Sequence, residues 1–290
     1  MLPMDLSQTK PVNSPDRHNH KAVIAFSVLL IAFCTAYYPV FRSLIKTWYA
    51  SDDASHGFLI IPAALYIVWR NRSRLSELPI VPSWWGMLLV VISLTLYLFA
   101  KLAGIATLSP LSLILTIAGS ILFLGGYRFL VALLFPIALL LLMIPIPSQI
   151  YSALTLPLQL IVSKVSAITT TLIGIPVYLE GNVINLPNYT FEVVQACSGL
   201  RSIMSLFTLA ALYGYFTLSS PLLRTFLFVL ALPIAVLVNI ARISVMVIAY
   251  YYFNFNLTSE PIHTWYGMAI FGLSFILFLL TQKVLSKWDK

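Results

Sequence analysis

Apolar positions in this chain come in long runs broken by short polar stretches. The runs are about 18 to 22 residues long, the length at which a helix crosses roughly 30 Å of hydrocarbon. Spans are predicted at about 22–41, 56–69, 84–103, 107–124, 128–146, 197–217, 223–245 and 263–282, eight in all. The fifth closes on the rigid Met143-Ile144-Pro145-Ile146-Pro147, and a tyrosine-rich extension carries the seventh to Phe253. No membrane-length window alternates apolar and polar residues, so the pattern predicts an all-α polytopic membrane protein and excludes a barrel.

Two segments break the pattern. Over 150–172 the polar residues Ser152, Thr155, Gln159, Ser163, Ser166 and Thr170 recur every three or four positions. That amphipathic stripe predicts a helix lying in the outer interface or lining a site, not a crossing. Over 176–193, β-branched and aromatic residues punctuated by Glu180-Gly181-Asn182 and Pro187-Asn188 predict a small hairpin.

Composition agrees: 60% of the 290 residues are hydrophobic and 9% charged, too few polar side chains to cover a soluble fold. The net charge of +8 points to topology and not to nucleic acid, because the cations sit in short loops and tails. With eight alternating spans, Lys10, Arg17, Lys21, Arg70, Arg72, Arg74, Arg128, Arg224, Lys283, Lys287 and Lys290 share one side, the cytoplasm, with both termini. Asp52, Asp53, Glu180, Glu192 and Glu260 fall on the other. Residues 1–20 lack the layout of a cleaved signal peptide and are expected to be a disordered cytoplasmic tail; 21–290 are expected to form one transmembrane domain.

Chemistry concentrates at the outer end. Cys197, in Glu192-Val-Val-Gln-Ala-Cys-Ser-Gly-Leu-Arg-Ser202, stands where the hairpin passes into the sixth span. A helix N-terminus favours a thiolate there, and Arg201 adds a cation one turn on. Arg242 lies inside an apolar stretch, which is costly unless the residue is paired or faces a polar cavity, and Asn239 shares its helical face. His263 opens the last span. Thiolate, imidazole and guanidinium together suffice for acyl transfer, with no metal or cofactor. Ser198 and Glu192 adjoin the thiol, and His56 is a rival base. Cys34, mid-span, is expected to be packing, and the Asn-x-Thr triplets at Asn188 and Asn256 chance matches.

In order along the chain, SHGFLIIP (55–62), MIPIPS (143–148), TLPLQLIVSKVSA (155–167), GNVINLP (181–187), ACSGLRS (196–202), NIAR (239–242) and His263 resemble the exosortase family of bacterial membrane proteins. The resemblance runs from about 40 to 275. It implies a cysteine transpeptidase of the inner membrane with a periplasmic active site. Its partners would be exported proteins ending in a Pro-Glu-Pro-like motif, a transmembrane helix and a basic cluster (PEP-CTERM-like tails). A surface polysaccharide or lipid-linked acceptor would receive them. By position, the resemblance makes Cys197 the nucleophile, Arg242 the arginine of the Asn-x-x-Arg motif and His263 the general acid/base. Where many members carry Glu two residues before the cysteine, this chain has Gln195. Rival readings are a polysaccharide export or assembly component without peptidase activity, a non-catalytic scaffold, and a protease in which water resolves the acyl-enzyme.

Overall fold

The computed structural model describes residues 16–51, 53–193, 200–259 and 261–289. The chain divides into two units, Met1–Ser43 and Leu44–Lys290. Helix α1 (Asp16–Ala50) makes up the described part of the first and continues into the second. Within the first unit the Phe33 ring meets those of Tyr37 and Phe41, and Cys34, expected to be packing, is an exposed free thiol. The tail expected over 1–20 falls outside the described residues as far as 15, and Asp16 already begins the helix.

Helices α2 (Gly57–Arg70), α3 (Arg72–Ser76), α4 (Trp84–Ala103) and α5 (Leu108–Leu124) follow. The predicted span at 128–146 is not one helix. It is broken into α6 (Tyr127–Ala132), α7 (Leu134–Leu139) and a 3-10 turn (Leu140–Met143). Pro136 has no N–H, and its ring opposes the carbonyl of Ala132, so the helix breaks at Leu133. Then come α8 (Ser148–Leu172), three strands, α9 (Leu200–Thr217), α10 (Pro221–Phe253) and α11 (Ile262–Ser286). The stretch around Trp48, which lies between the first two predicted spans, is the end of α1, and the Trp48 indole donates to the Met143 carbonyl at 3.0 Å. A Cβ at Gly57 would stand 2.3 Å from the Trp48 Nε1, so only glycine lets α2 begin there.

Five described helices are long and apolar enough to cross a membrane: residues Ser27–Ala50, Trp84–Ala103, Ser148–Leu172, Pro221–Phe253 and Ile262–Ser286; the other apolar helices are shorter. Their outward faces are apolar, as with Val91, Leu98 and Phe99 on α4 and Leu237 and Val245 on α10. Unpartnered surface of that kind belongs against lipid. Helices α4 and α5 approach until a Cβ at Gly86 would lie 2.2 Å from the Phe123 backbone nitrogen, and a buried Ser93–Thr116 hydroxyl pair at 2.7 Å joins them. Small residues and interhelical hydrogen bonds hold helices together where lipid removes the hydrophobic driving force.

The polar stripe expected over 150–172 is present in α8, and it is buried. Thr155, Gln159, Ser163, Ser166 and Thr170 are buried, whereas Ile150, Leu154, Leu160, Ile161 and Ile168 are exposed. A helix floating in the interface would turn its polar stripe to water; this one turns it inward, against α10. Ser163 donates to the Asn182 carbonyl and Ser166 to that of Ile240.

In place of a two-stranded hairpin the segment after α8 forms an antiparallel meander, β1 (Tyr178–Glu180), β2 (Val183–Leu186) and β3 (Tyr189–Glu192). Glu180 pairs with Val183 and Leu186 with Tyr189. The tight turns fall at Gly181-Asn182, with Gly181 at φ +60°, and at Pro187-Asn188. Alternate residues Ile184, Leu186 and Phe191 turn inward and join Val162 of α8 with Ile243, Met246 and Val247 of α10 in one core. The tyrosine-rich end of α10 has a purpose here. Tyr250 packs on Tyr189 and Phe191, and the Tyr252 hydroxyl donates to the Ile173 carbonyl at 3.2 Å.

Candidate active site

Helices α10 and α11 are tied at both ends. At one, the Asp289 carboxylate accepts the backbone N–H groups of Ser219 and Ser220, which open α10. Those donors, with Arg224 nearby, hold its carboxyl below the usual carboxylate range. At the other end, Arg242 Nη2 lies 3.2 Å from His263 Nε2. From Pro221 to Arg242 the helix rises roughly 30 Å, one hydrocarbon thickness. The pair therefore stands at one rim of the apolar layer when the Ser220 end stands at the other.

The first turn of α11 is built around Arg242. His263 takes the guanidinium, Tyr266 donates its hydroxyl to the Arg242 carbonyl at 2.9 Å, and Gly267 faces the guanidinium, where a Cβ would meet Nη2 in ordinary contact at 3.8 Å. Spacings of three and four put these residues on one helical face. Guanidinium can only donate, so Nε2 presents its lone pair and the tautomer is fixed by the contact. Arg242 Nε and His263 Nδ1 are buried without a partner among the described residues, as is the Ser244 hydroxyl one turn beyond Arg242's neighbour Ile240. Buried polar atoms without a partner make these residues candidates for a site. Asn239 is buried on the same helix, one turn before Arg242.

Cys197 and Ser198 lie outside the described residues, as do Gln195 and the side chain of Arg201. Their flanks are described. Val193 is buried in the core that holds Ile243, Met246 and Val247, and Asn182 clamps it twice, accepting its N–H at 2.9 Å and donating Nδ2 to its carbonyl at 3.1 Å. On the far side, Ile203 is buried with Ala231 and Ala235 of α10. Glu192 is exposed at the end of β3.

His56 is not brought to Arg242. Its Nε2 is 3.0 Å from the Leu142 carbonyl, and it lines a separate cavity of about 290 Å³ with Asp53, Tyr151, Pro145 and Met204. Tyr151 donates to Asp53 across that cavity at 2.8 Å. Sequence reasoning missed Tyr266, Gly267 and Asn182. The first two could have been found from their spacing to His263; Asn182 could not, because its partner lies across a turn.

Residues 48–280 match the family model of the transmembrane exosortases. The chain belongs to the exosortase family. It is thus a membrane protein of a family that consists, in general, of cysteine transpeptidases. Neither the curated proteins nor the solved structures compared with this exosortase give a match.

Proposed function

We propose that this exosortase cleaves the C-terminal tails of exported proteins at the periplasmic face of the inner membrane, using Cys197 as nucleophile, His263 as general acid/base and Arg242 as oxyanion donor. The observation that carries the reading is the Arg242–His263 contact, one hydrocarbon thickness from the Ser220 end. Arg70, Arg74, Arg128 and Arg224 gather at that Ser220 end around one cavity, and cations mark the cytoplasm. The outer face is then the Arg242 end. On this reading α8 is not counted as a crossing: its first turn lines a cavity with Asp53 and Met204, and its end meets Tyr252.

Cys197 is separated by only a few residues from Val193 and from Leu200. Val193 is packed with Ile243, Met246 and Val247, which follow Arg242 on α10. In the reaction, the guanidinium moves from Nε2 onto the scissile carbonyl oxygen, which frees the imidazole lone pair for the thiol proton. Sulfur bonds to the carbonyl carbon, and the electron pair moves onto oxygen. On collapse the C–N bond breaks and Nε2–H protonates the leaving amine, leaving a thioester. An acceptor hydroxyl or amine then gives its proton to Nε2 and displaces the sulfur. Substrates of PEP-CTERM type suit this depth, since a tail helix with a cytoplasmic basic cluster holds the preceding peptide at the outer rim. A polysaccharide or lipid-linked molecule serves as acceptor.

The test is co-expression with a secreted reporter bearing a Pro-Glu-Pro motif, transmembrane helix and basic tail from the same genome. The intact enzyme should remove the tail and Cys197→Ala should not, and the mass of the new C-terminus distinguishes acceptor from water. Equal processing by both proteins refutes the nucleophile assignment.

A further inference from the structure

At the Ser220 end, a cavity of about 620 Å³ opens between α2, α3, α6 and the α9–α10 turn. Arg70, Arg74, Arg128 and Arg224 all line it, and among the described residues no carboxylate does. Asp289, the acid beside Arg224, is already engaged by the Ser219 and Ser220 N–H groups. Four like charges converging on one concave surface repel one another unless an anion occupies it.

The cavity is also pre-oriented. Arg224 Nε donates to the Leu218 carbonyl at 2.8 Å and its guanidinium lies 5.1 Å from the centre of the Tyr215 ring; Arg70 lies similarly over Phe216 at 5.4 Å. Tyr215 is fixed in turn, stacked on Phe135 at 4.2 Å and accepting from Asn71 Nδ2 at 2.8 Å. Arg72, by contrast, bonds the Trp69 carbonyl and stacks on its ring. Arg74 and Arg128 are exposed and make no hydrogen bond within the described residues, so their forks are available.

We infer that this cavity binds a phosphate-bearing anion, the headgroup of an acidic phospholipid. Guanidinium groups match phosphate oxygens in bidentate pairs. The volume exceeds that of a bare phosphate, and the rim carries the exposed apolar surfaces of Tyr127 and Val131, along which acyl chains can lie. Basic pockets between membrane helices at the cytoplasmic rim are suited to such headgroups. The inference rests on the orientation proposed above and uses none of the catalytic residues.

The experiment uses the full chain, stripped of lipid in neutral detergent. Its thermal unfolding is followed against phosphatidylglycerol, phosphatidylcholine with the same acyl chains, and glycerol phosphate. Phosphatidylglycerol should raise the melting temperature saturably and phosphatidylcholine should not. Arg74→Gln/Arg128→Gln should bind phosphatidylglycerol about 30-fold more weakly, each arginine supplying roughly a factor of five. Arg74→Lys/Arg128→Lys should keep most of the response. If the double glutamine variant does not fold, the single variants carry the comparison at about fivefold each. A saturable shift with glycerol phosphate that equals the lipid's supports the site and assigns it to a soluble anion. Equal response to the two lipids, or glutamine variants that respond to phosphatidylglycerol like the native protein, overturns the inference.

Discussion

Replacing Arg242 by lysine keeps the positive charge at the rim and removes the fork, so it isolates what the geometry contributes. In the resting site Nη2 holds His263 Nε2 at 3.2 Å while Nε remains buried and unpartnered among the described residues. One ammonium cannot orient the imidazole and then follow the carbonyl oxygen as a planar pair of donors can. A charge-assisted hydrogen bond lost at a partly buried site costs about 1.5 to 3 kcal/mol, or roughly 10- to 150-fold in rate. Loss of an oxyanion donor costs about 10²- to 10³-fold. Arg242→Lys should therefore lower the rate of reporter cleavage by at least about 100-fold. The assay is the time course of tail removal in membranes, with enzyme levels matched by quantitative immunoblot. His263→Gln is made alone and combined with Arg242→Lys. Because the guanidinium works partly through the imidazole, the double variant should be much less impaired than the product of the single effects. A rate within threefold of the native enzyme for Arg242→Lys, or strictly multiplicative losses, would refute the coupling.

Further outcomes follow from the scaffold. Asn182→Ala removes the Nδ2 bond to the Val193 carbonyl, the anchor at the entry to residues 194–199; thermal scans should show a loss of about 1 kcal/mol, while cleavage should fall more than about tenfold, as misplaced catalytic groups require. Gly86→Ala forces a Cβ to within 2.2 Å of the Phe123 nitrogen, so α4 and α5 must separate, at a cost of about 1 to 3 kcal/mol, readable in the melting temperature. Asp289, whose pKa is depressed by the Ser219 and Ser220 N–H groups, stabilises the fold above its unfolded pKa and loses that contribution as pH falls through the folded value. Below about pH 4 the native protein should approach the melting temperature of Asp289→Asn, which should itself change less with pH over that range.

The spans at 84–103 and 263–282 were legible because apolar runs of membrane length have few other uses, and α4 and α11 occupy them to within a few residues. The break in 128–146 was legible in principle, since Pro136 stands in the sequence, but hydropathy averages over such a residue. Arg242 could be singled out because a charge inside an apolar run must have a partner, and His263, at the opening of the last predicted span, is in contact with it. Their contact itself was not legible. The contact bridges α10 and α11 between residues 21 apart, and no helical period fixes how two helices meet. The third strand escaped because Pro187-Asn188 reads equally well as the end of a hairpin or as its second turn.

Helix α8 shows why a polar stripe does not by itself fix where a helix lies. Periodicity of three and four says that one face is polar, and it is silent on whether the polar face meets water or protein. In water the apolar face is the one that must be hidden; beside lipid the apolar face is already satisfied, and the hydroxyls have to find partners inside. Ser163 and Ser166 find theirs in the Asn182 and Ile240 carbonyls, while Thr155 and Thr170 turn back onto their own helix. The two outward partners matter most. Asn182 clamps the chain entering residues 194–199, and Ile240 precedes Arg242 by two residues, so one helical face braces both sides of the proposed site. The stripe thus positions chemistry, and its cost in apolar surroundings is what keeps α8 pressed against α10.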